Sequence, residues 1–137
     1  MKSTDSFEHF FKATHARGKL IFAQIDQLDE IEQLAATYGY PEPTVDTADL
    51  ELFSNVGKRV IVVTPEQQLI LRGSDFRNPF GIDLLIATEF ATERAYIQAL
   101  GRVGRGTDPC GRFLLKGTSP VDKIAEAELN GCLMKEC

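Results

Sequence analysis

Apolar residues recur along this chain in two ways, at helical spacing and in short unbroken runs, and the two alternate. Phe7, Phe10 and Phe11 follow helical spacing, with Ser3 to Asp5 as a cap before them and Gly18 as a stop. Leu20-Ile21-Phe22-Ala23-Gln24-Ile25 is a nearly continuous apolar run, the pattern of a strand buried on both faces. Asp26 then caps a second helix with Leu28, Ile31, Leu34 and Tyr38 on one side, and Gly39 followed by Pro41 ends it. The stretch from Pro41 to about Asp49 is rich in turn formers. Lys58 to Thr64 is the clearest buried strand, Leu69-Ile70-Leu71 a brief one, and Ile82 to Ala87 a second central one. Thr92 caps a third helix, Phe113-Leu114-Leu115 reads as the last strand, and Ser119-Pro120 opens a final helix that Gly131 ends.

Strands separated by helices predict an α/β fold. The expected architecture is a single three-layer domain over residues 1–137, with a mainly parallel sheet and helices on both faces. In such sheets the working residues gather at the carboxyl ends of the strands. Apolar content of 43% suffices for a core of ordinary density, and no apolar run is long enough to span a membrane. The Phe-rich, polar N-terminus lacks the pattern of a signal peptide. Three cysteines, without metal-ligand spacing, leave a Cys132–Cys137 bridge open and point to reduced thiols in a cytosolic or nuclear protein. No zinc site is expected, because His9 and His15 are remote from the cysteines and no Cys-x-x-Cys occurs.

A net charge of −5 argues against a protein built mainly to coat nucleic acid. The charge is uneven, however. From Arg94 to Lys116 the chain carries Arg94, Arg102, Arg105, Arg112 and Lys116 against Asp108, which suggests a confined anion site. Within it, Gln98-x-x-Gly101-Arg102-x-x-Arg105 is carried at the end of the third helix. Gln98, Arg102 and Arg105 are four and then three residues apart, so a continuing helix sets them on one face. Each guanidinium presents a planar fork of donors suited to phosphate oxygens, and Gly101 and Gly104 permit close approach. The competing reading is that both arginines pair internally, with Asp75, Glu89 or Glu93.

Before that helix lie a strand ending in Thr64, then Arg72-Gly73-Ser74-Asp75, then the strand around Leu84. This order resembles motifs V and VI of the second RecA-like lobe of superfamily 2 helicases, and the run from Leu20 to Ala23 is similar to the strand that opens that lobe. The resemblance implies a RecA-like helicase C-terminal lobe. It implies that Arg102 and Arg105 reach the triphosphate and stabilise charge on the transferred phosphoryl group, as an arginine finger does. By the same resemblance Gln98, Gly73 and Asp75 adjoin the nucleotide, and Thr64 lies near nucleic-acid phosphates.

The chain departs from that family in three places. More residues separate Thr64 from Arg72, the stretch from Tyr40 to Leu52 is short for a strand and helix, and no Gly-x-x-x-x-Gly-Lys-Ser/Thr phosphate loop occurs. Asp26 and Asp29-Glu30 are therefore read as a helix cap and first-turn carboxylates, not a magnesium motif. ATP and magnesium are expected only where a first helicase lobe is supplied, with weak single-stranded RNA or DNA binding and no membrane partner. The isolated chain is expected to be inactive as an ATPase.

The alternative is a non-catalytic protein-interaction module that kept the fold. Among weaker signals, Gly101, Gly104 and Gly106 do not form a dinucleotide fingerprint. His9 and His15 read as surface or packing residues. Cys110 is either a turn residue between Pro109 and Gly111 or a thiol activated by neighbouring arginines. The phenylalanine stripe reads as core.

Overall fold

A computed structural model describes residues 2–13, 17–45, 59–64, 81–90, 93–100 and 110–118. Six strands and three helices occur among them: β1 (Lys2–Thr4), α1 (Phe7–Ala13), β2 (Gly18–Phe22), α2 (Leu28–Thr37), β3 (Thr44–Val45), β4 (Val60–Val63), β5 (Ile82–Ile86), α3 (Glu93–Leu100) and β6 (Cys110–Leu115). The strands form one sheet in the order β1-β6-β5-β2-β4-β3. Every pairing in it is parallel, as Leu20 opposite both Ile61 and Leu84 illustrates. The chain is thus α/β with a parallel sheet, and β5 and β2 lie at its centre.

Burial explains the continuous apolar runs. Leu20, Phe22, Ile61, Val63, Ile82, Leu84 and Ile86 pack on one face against Phe90 and against Tyr96, Ala99 and Leu100 of α3. Ile21, Val60, Val62, Leu85 and Ala87 point to the other face, against Phe7, Phe10 and Phe11 of α1 and Ile31 and Ala35 of α2. Successive side chains on a strand alternate between faces, so a strand covered on both sides must be apolar at every step. Phe10 meets Phe113 edge-on at 5.4 Å between ring centres and Phe11 at 6.0 Å, which makes the phenylalanine stripe part of the core.

Several boundaries differ from the sequence expectation. Ser3 to Asp5 do not cap α1: Lys2–Thr4 is an edge strand, with Ser3 opposite Leu114. Ser6 starts the helix instead, its hydroxyl accepting from the His9 amide at 3.1 Å. A three-residue polar strand leaves no periodic signal, and only β6 beside it supplies its partners. Gly18 opens β2; it does not end a helix.

Asp26 does not cap α2 either. It lies exposed in a 3-10 turn, Ile25–Gln27, that precedes the helix. The Gln27 carboxamide oxygen accepts from the Gln24 amide at 2.8 Å, so a glutamine side chain satisfies the backbone donor at the start of this turn. α2 ends as expected, at Gly39 with φ +80°. Thr44–Val45 pairs with β4 as a two-residue edge strand inside the stretch read as turns. Cys110, read as a turn residue, opens β6. The expected elements at 69–71 and from Ser119 onward lie outside the described residues, as does Thr92.

Gly111 in β6 has a structural reason to be glycine. A Cβ there would stand 2.8 Å from Phe113 Cε2 and 2.9 Å from Asp83 Oδ1, closer than real Cβ contacts. The hydrogen at Cα leaves room for the Asp83 carboxylate and the Phe113 ring beside it.

Candidate functional site

Parallel alignment brings the carboxyl ends of β4, β2 and β5 to one edge. Ala23 donates to Val63 O at 3.1 Å and Ala87 to Phe22 O at 2.8 Å, which extends the ladder one residue past each strand. Beyond it the side chains become polar. Gln24 Nε2 donates to Thr88 Oγ1 at 2.8 Å across the β2–β5 seam, and Gln27 Nε2 reaches Ala87 O at 3.4 Å. Thr64 follows β4 on the same edge and is buried, with 8% of its surface exposed. These are neutral donors and acceptors, which suit hydroxyls or phosphate oxygens and supply no general base.

Two of the sequence-predicted site residues fall among the described residues. Thr64 lies at this edge. Gln98 projects to solvent from α3, whose Tyr96, Ala99 and Leu100 are buried under the sheet. Gly73, Asp75, Arg102 and Arg105 lie outside the described residues.

The basic patch read from the sequence changes in composition. Arg94 is exposed on α3 and Glu89 is exposed beyond β5. Lys116 is exposed and pairs with Asp5 at 3.6 Å. Arg112, by contrast, is only 4% exposed and turns inward, where its Nε donates to the Leu100 carbonyl at 2.8 Å. It is no part of an open anion surface. Its position two residues into β6, opposite Leu84, aims the side chain at the α3 face of the sheet.

The opposite, amino edge holds a cluster that the sequence reading missed. Lys19 and Asp83 are register partners on β2 and β5, and Lys19 Nζ lies 2.6 Å from Asp83 Oδ2 with both side chains fully buried. Arg17 Nη1 holds the other carboxylate oxygen at 3.1 Å and keeps 28% of its side-chain surface in solvent. The Phe10 ring covers the ammonium at 5.0 Å from its centre, a cation–π contact. Tyr40 closes the cluster by donating to the Arg17 carbonyl at 3.2 Å.

Burial pushes the Lys19 ammonium below the ordinary lysine value, and the Asp83 charge and hydrogen bond oppose that fall. The Tyr40 phenol is pushed up to about 12, first by burial and then by the nearby Asp83 charge. With Phe10 over it and both charges sealed from solvent, the pair holds two strands in register and offers nothing to a substrate. A signal was present in the sequence: Lys19 and Asp83 are the charged residues at the second position of otherwise apolar strands.

Among the described residues no group of His, Cys, Asp and Glu could hold a metal ion, and no helix is long and apolar enough to cross a membrane. The chain matches no protein-family model, no curated protein and no solved structure. What the fold itself defines is an α/β protein with a six-stranded parallel sheet.

The ion pair makes an asymmetric prediction for urea unfolding. Asp83→Leu leaves a buried ammonium without its counter-charge and should cost about 3–5 kcal/mol. Lys19→Met should cost less, because Arg17 still neutralises Asp83. Combining the two should recover most of the loss, since Arg17 can turn to solvent. Equal costs for the two single variants would contradict this account.

Tyr40 gives a pH-dependent prediction. Its folded pKa is raised, so its contribution is complete below the unfolded value of 10.0 and is lost as pH rises toward about 12. Tyr40→Phe should therefore cost about 1 kcal/mol near neutral pH. That gap to the parent should narrow at alkaline pH, as read from paired urea midpoints. A gap that stays constant with pH would show the phenol to be freely hydrated.

Proposed function

We propose that this chain works as a lobe resembling the second RecA-like lobe of superfamily 2 helicases. In this reading Arg102 and Arg105 are offered to an ATP site completed by a first lobe that carries the phosphate loop. Gln98, Gly73 and Asp75 adjoin the nucleotide, and Thr64 faces nucleic-acid phosphates.

The observation that carries the reading is the orientation of α3. Its apolar residues Tyr96, Ala99 and Leu100 seal one face of the sheet while Gln98, the first residue of the arginine motif, stands in solvent. An arginine four residues beyond Gln98 continues the exposed stripe if the helix runs on. The parallel sheet and the polar edge at Gln24, Thr64 and Thr88 agree with a ligand approaching the carboxyl ends of the strands.

The chemistry of the arginines is charge stabilisation. A guanidinium aimed at the transferred phosphoryl group acts only on phosphates already bound and aligned by other groups. This chain has no phosphate loop, so alone it binds anions weakly and hydrolyses nothing.

One observation favours a second reading, a non-catalytic interaction module. A net charge of −5 disfavours broad attraction to nucleic-acid phosphates.

Titration of labelled single-stranded RNA at low salt separates the two. The helicase-lobe reading expects weak binding that falls with salt. It also expects weak binding of inorganic triphosphate, titrated separately, to be lost in an Arg102→Ala, Arg105→Ala double variant that still binds RNA. Absence of binding at low salt would support the interaction module. Nucleic-acid-stimulated phosphate release by the pure chain, lost in Arg102→Ala, would overturn the claim that it is inactive alone.

A further inference from the structure

β2 and β5 lie side by side at the centre of the sheet, yet the chain leaves them in opposite directions. From β2 it continues to β3 and β4 on one flank, and from β5 to β6 on the other. The helices part as well. Ile31 and Ala35 of α2 join the core on the Ile21 and Leu85 face, whereas Tyr96 and Ala99 of α3 join it on the Leu20 and Leu84 face. Connections that part to opposite faces open a crevice at the carboxyl ends of the two strands between them, where open parallel sheets receive ligands.

At this seam the chain turns polar abruptly. Phe22 and Ile86 are fully buried, and two residues beyond each stand Gln24 and Thr88. Gln24 Nε2 donates to Thr88 Oγ1 at 2.8 Å, while Gln27 braces the turn by accepting from the Gln24 amide and donating to Ala87 O. Hydrogen-bonding capacity is left over. A carboxamide has two hydrogens and an acceptor oxygen, and a threonine hydroxyl both donates and accepts. The bridge uses one Gln24 hydrogen and the Thr88 oxygen. Among the described residues, the Gln24 carbonyl, its second hydrogen and the Thr88 hydroxyl hydrogen have no partner. Thr88 is only 9% exposed, so a donor left unmatched there is costly.

One acceptor beside two donors, all neutral, is a poor match for phosphate, whose oxygens mainly accept. The surrounding charge also disfavours it, because exposed Asp26, Asp29, Glu30 and Glu89 outweigh exposed Arg94. Hydroxyls fit better, since each one both gives and takes a hydrogen bond. We propose that the β2–β5 seam binds the vicinal hydroxyls of an uncharged sugar or nucleoside, with the Gln24 carbonyl accepting from one hydroxyl and Thr88 donating to the other. This site goes beyond the helicase-lobe reading and does not depend on the arginines.

The probe is adenosine, titrated into the parent chain while backbone amide shifts are followed by NMR. Two comparisons accompany it: 2′,3′-dideoxyadenosine, with the same base and no vicinal hydroxyls, and D-ribose, with no base. Adenosine should shift Gln24 and Thr88 and bind about tenfold more tightly than the dideoxy compound, the scale of one or two neutral hydrogen bonds. Ribose moving the same amides would identify the hydroxyls as sufficient. Adenosine doing so without ribose would support the nucleoside.

Thr88→Val and Gln24→Leu, shown to be folded by their urea midpoints, should bind both nucleosides alike. Thr88→Ser, which keeps the hydroxyl, should retain the preference for adenosine. A merely structural role would weaken both nucleosides equally and leave their ratio unchanged, and a parent-like ratio in folded Thr88→Val would overturn the proposal. Should Thr88→Val fail to fold, Gln24→Leu decides by the same ratio. Equal binding of the two nucleosides by the parent, or no shift at the seam with adenosine or ribose, would also overturn it. So would inorganic triphosphate moving the same amides more strongly than adenosine.

Discussion

The central strands are locked to one another by the ion pair between Lys19 and Asp83. A parallel sheet of apolar strands has little of its own to fix register, because sliding one Val- or Leu-rich run past another exchanges one apolar contact for a similar one. A buried charge removes that freedom. If β2 shifted along β5, the Lys19 ammonium, 2.6 Å from Asp83 in the native register, would face apolar side chains. An unpaired charge in such a place costs several kcal/mol even after relaxation, so the alternatives are excluded more than the native pairing is rewarded. Arg17, Phe10 and Tyr40 complete the arrangement by neutralising, covering and closing it. Gly111 belongs to the same device, because any larger residue there would intrude on Asp83.

That lock lies at the amino edge, and the division of labour across the sheet follows from it. Fixing the register at Lys19 and Asp83 also fixes which residues emerge at the carboxyl edge, namely Gln24, Thr64 and Thr88. The same register sets β6 against β5, with Arg112 opposite Leu84. From there the Arg112 Nε reaches the Leu100 carbonyl of α3. Stability is concentrated at one edge and on both faces, while the opposite edge is left with neutral polar groups and one exposed isoleucine. This separation lets an edge carry binding groups without those groups also having to hold the sheet together.

Much of this was legible in the chain. The runs Leu20 to Ala23, Val60 to Val63 and Ile82 to Ile86 declare buried strands because both of their faces are covered. Phe7, Phe10 and Phe11 declare a helix face because burial there follows the helical turn. The features that were not legible depend on partners distant in sequence. Lys2–Thr4 is a strand only because β6 runs beside it. Asp26 has the chemistry of a cap, yet Gln24 and Gln27 satisfy the local backbone first.

Arg112 illustrates the same limit at the candidate site. Its charge suggested an anion patch, and only the packing of α3 on β6 turns it inward. Of the site residues, Gln98 is exposed on a helix and Thr64 is buried at a strand end.

In the proposed helicase-lobe reading, ligand phosphates meet this protein at Arg102 and Arg105, which follow Gln98 of α3. Mapping backbone amide shifts by NMR as inorganic triphosphate is added tests that claim most directly. Shifts gathered at Gln98, Leu100, Arg102 and Arg105 are expected, with Phe7, Phe11 and Ala35 on the opposite face of the sheet unmoved. Shifts centred on that opposite face, or spread evenly over the exposed lysines and arginines, would contradict it.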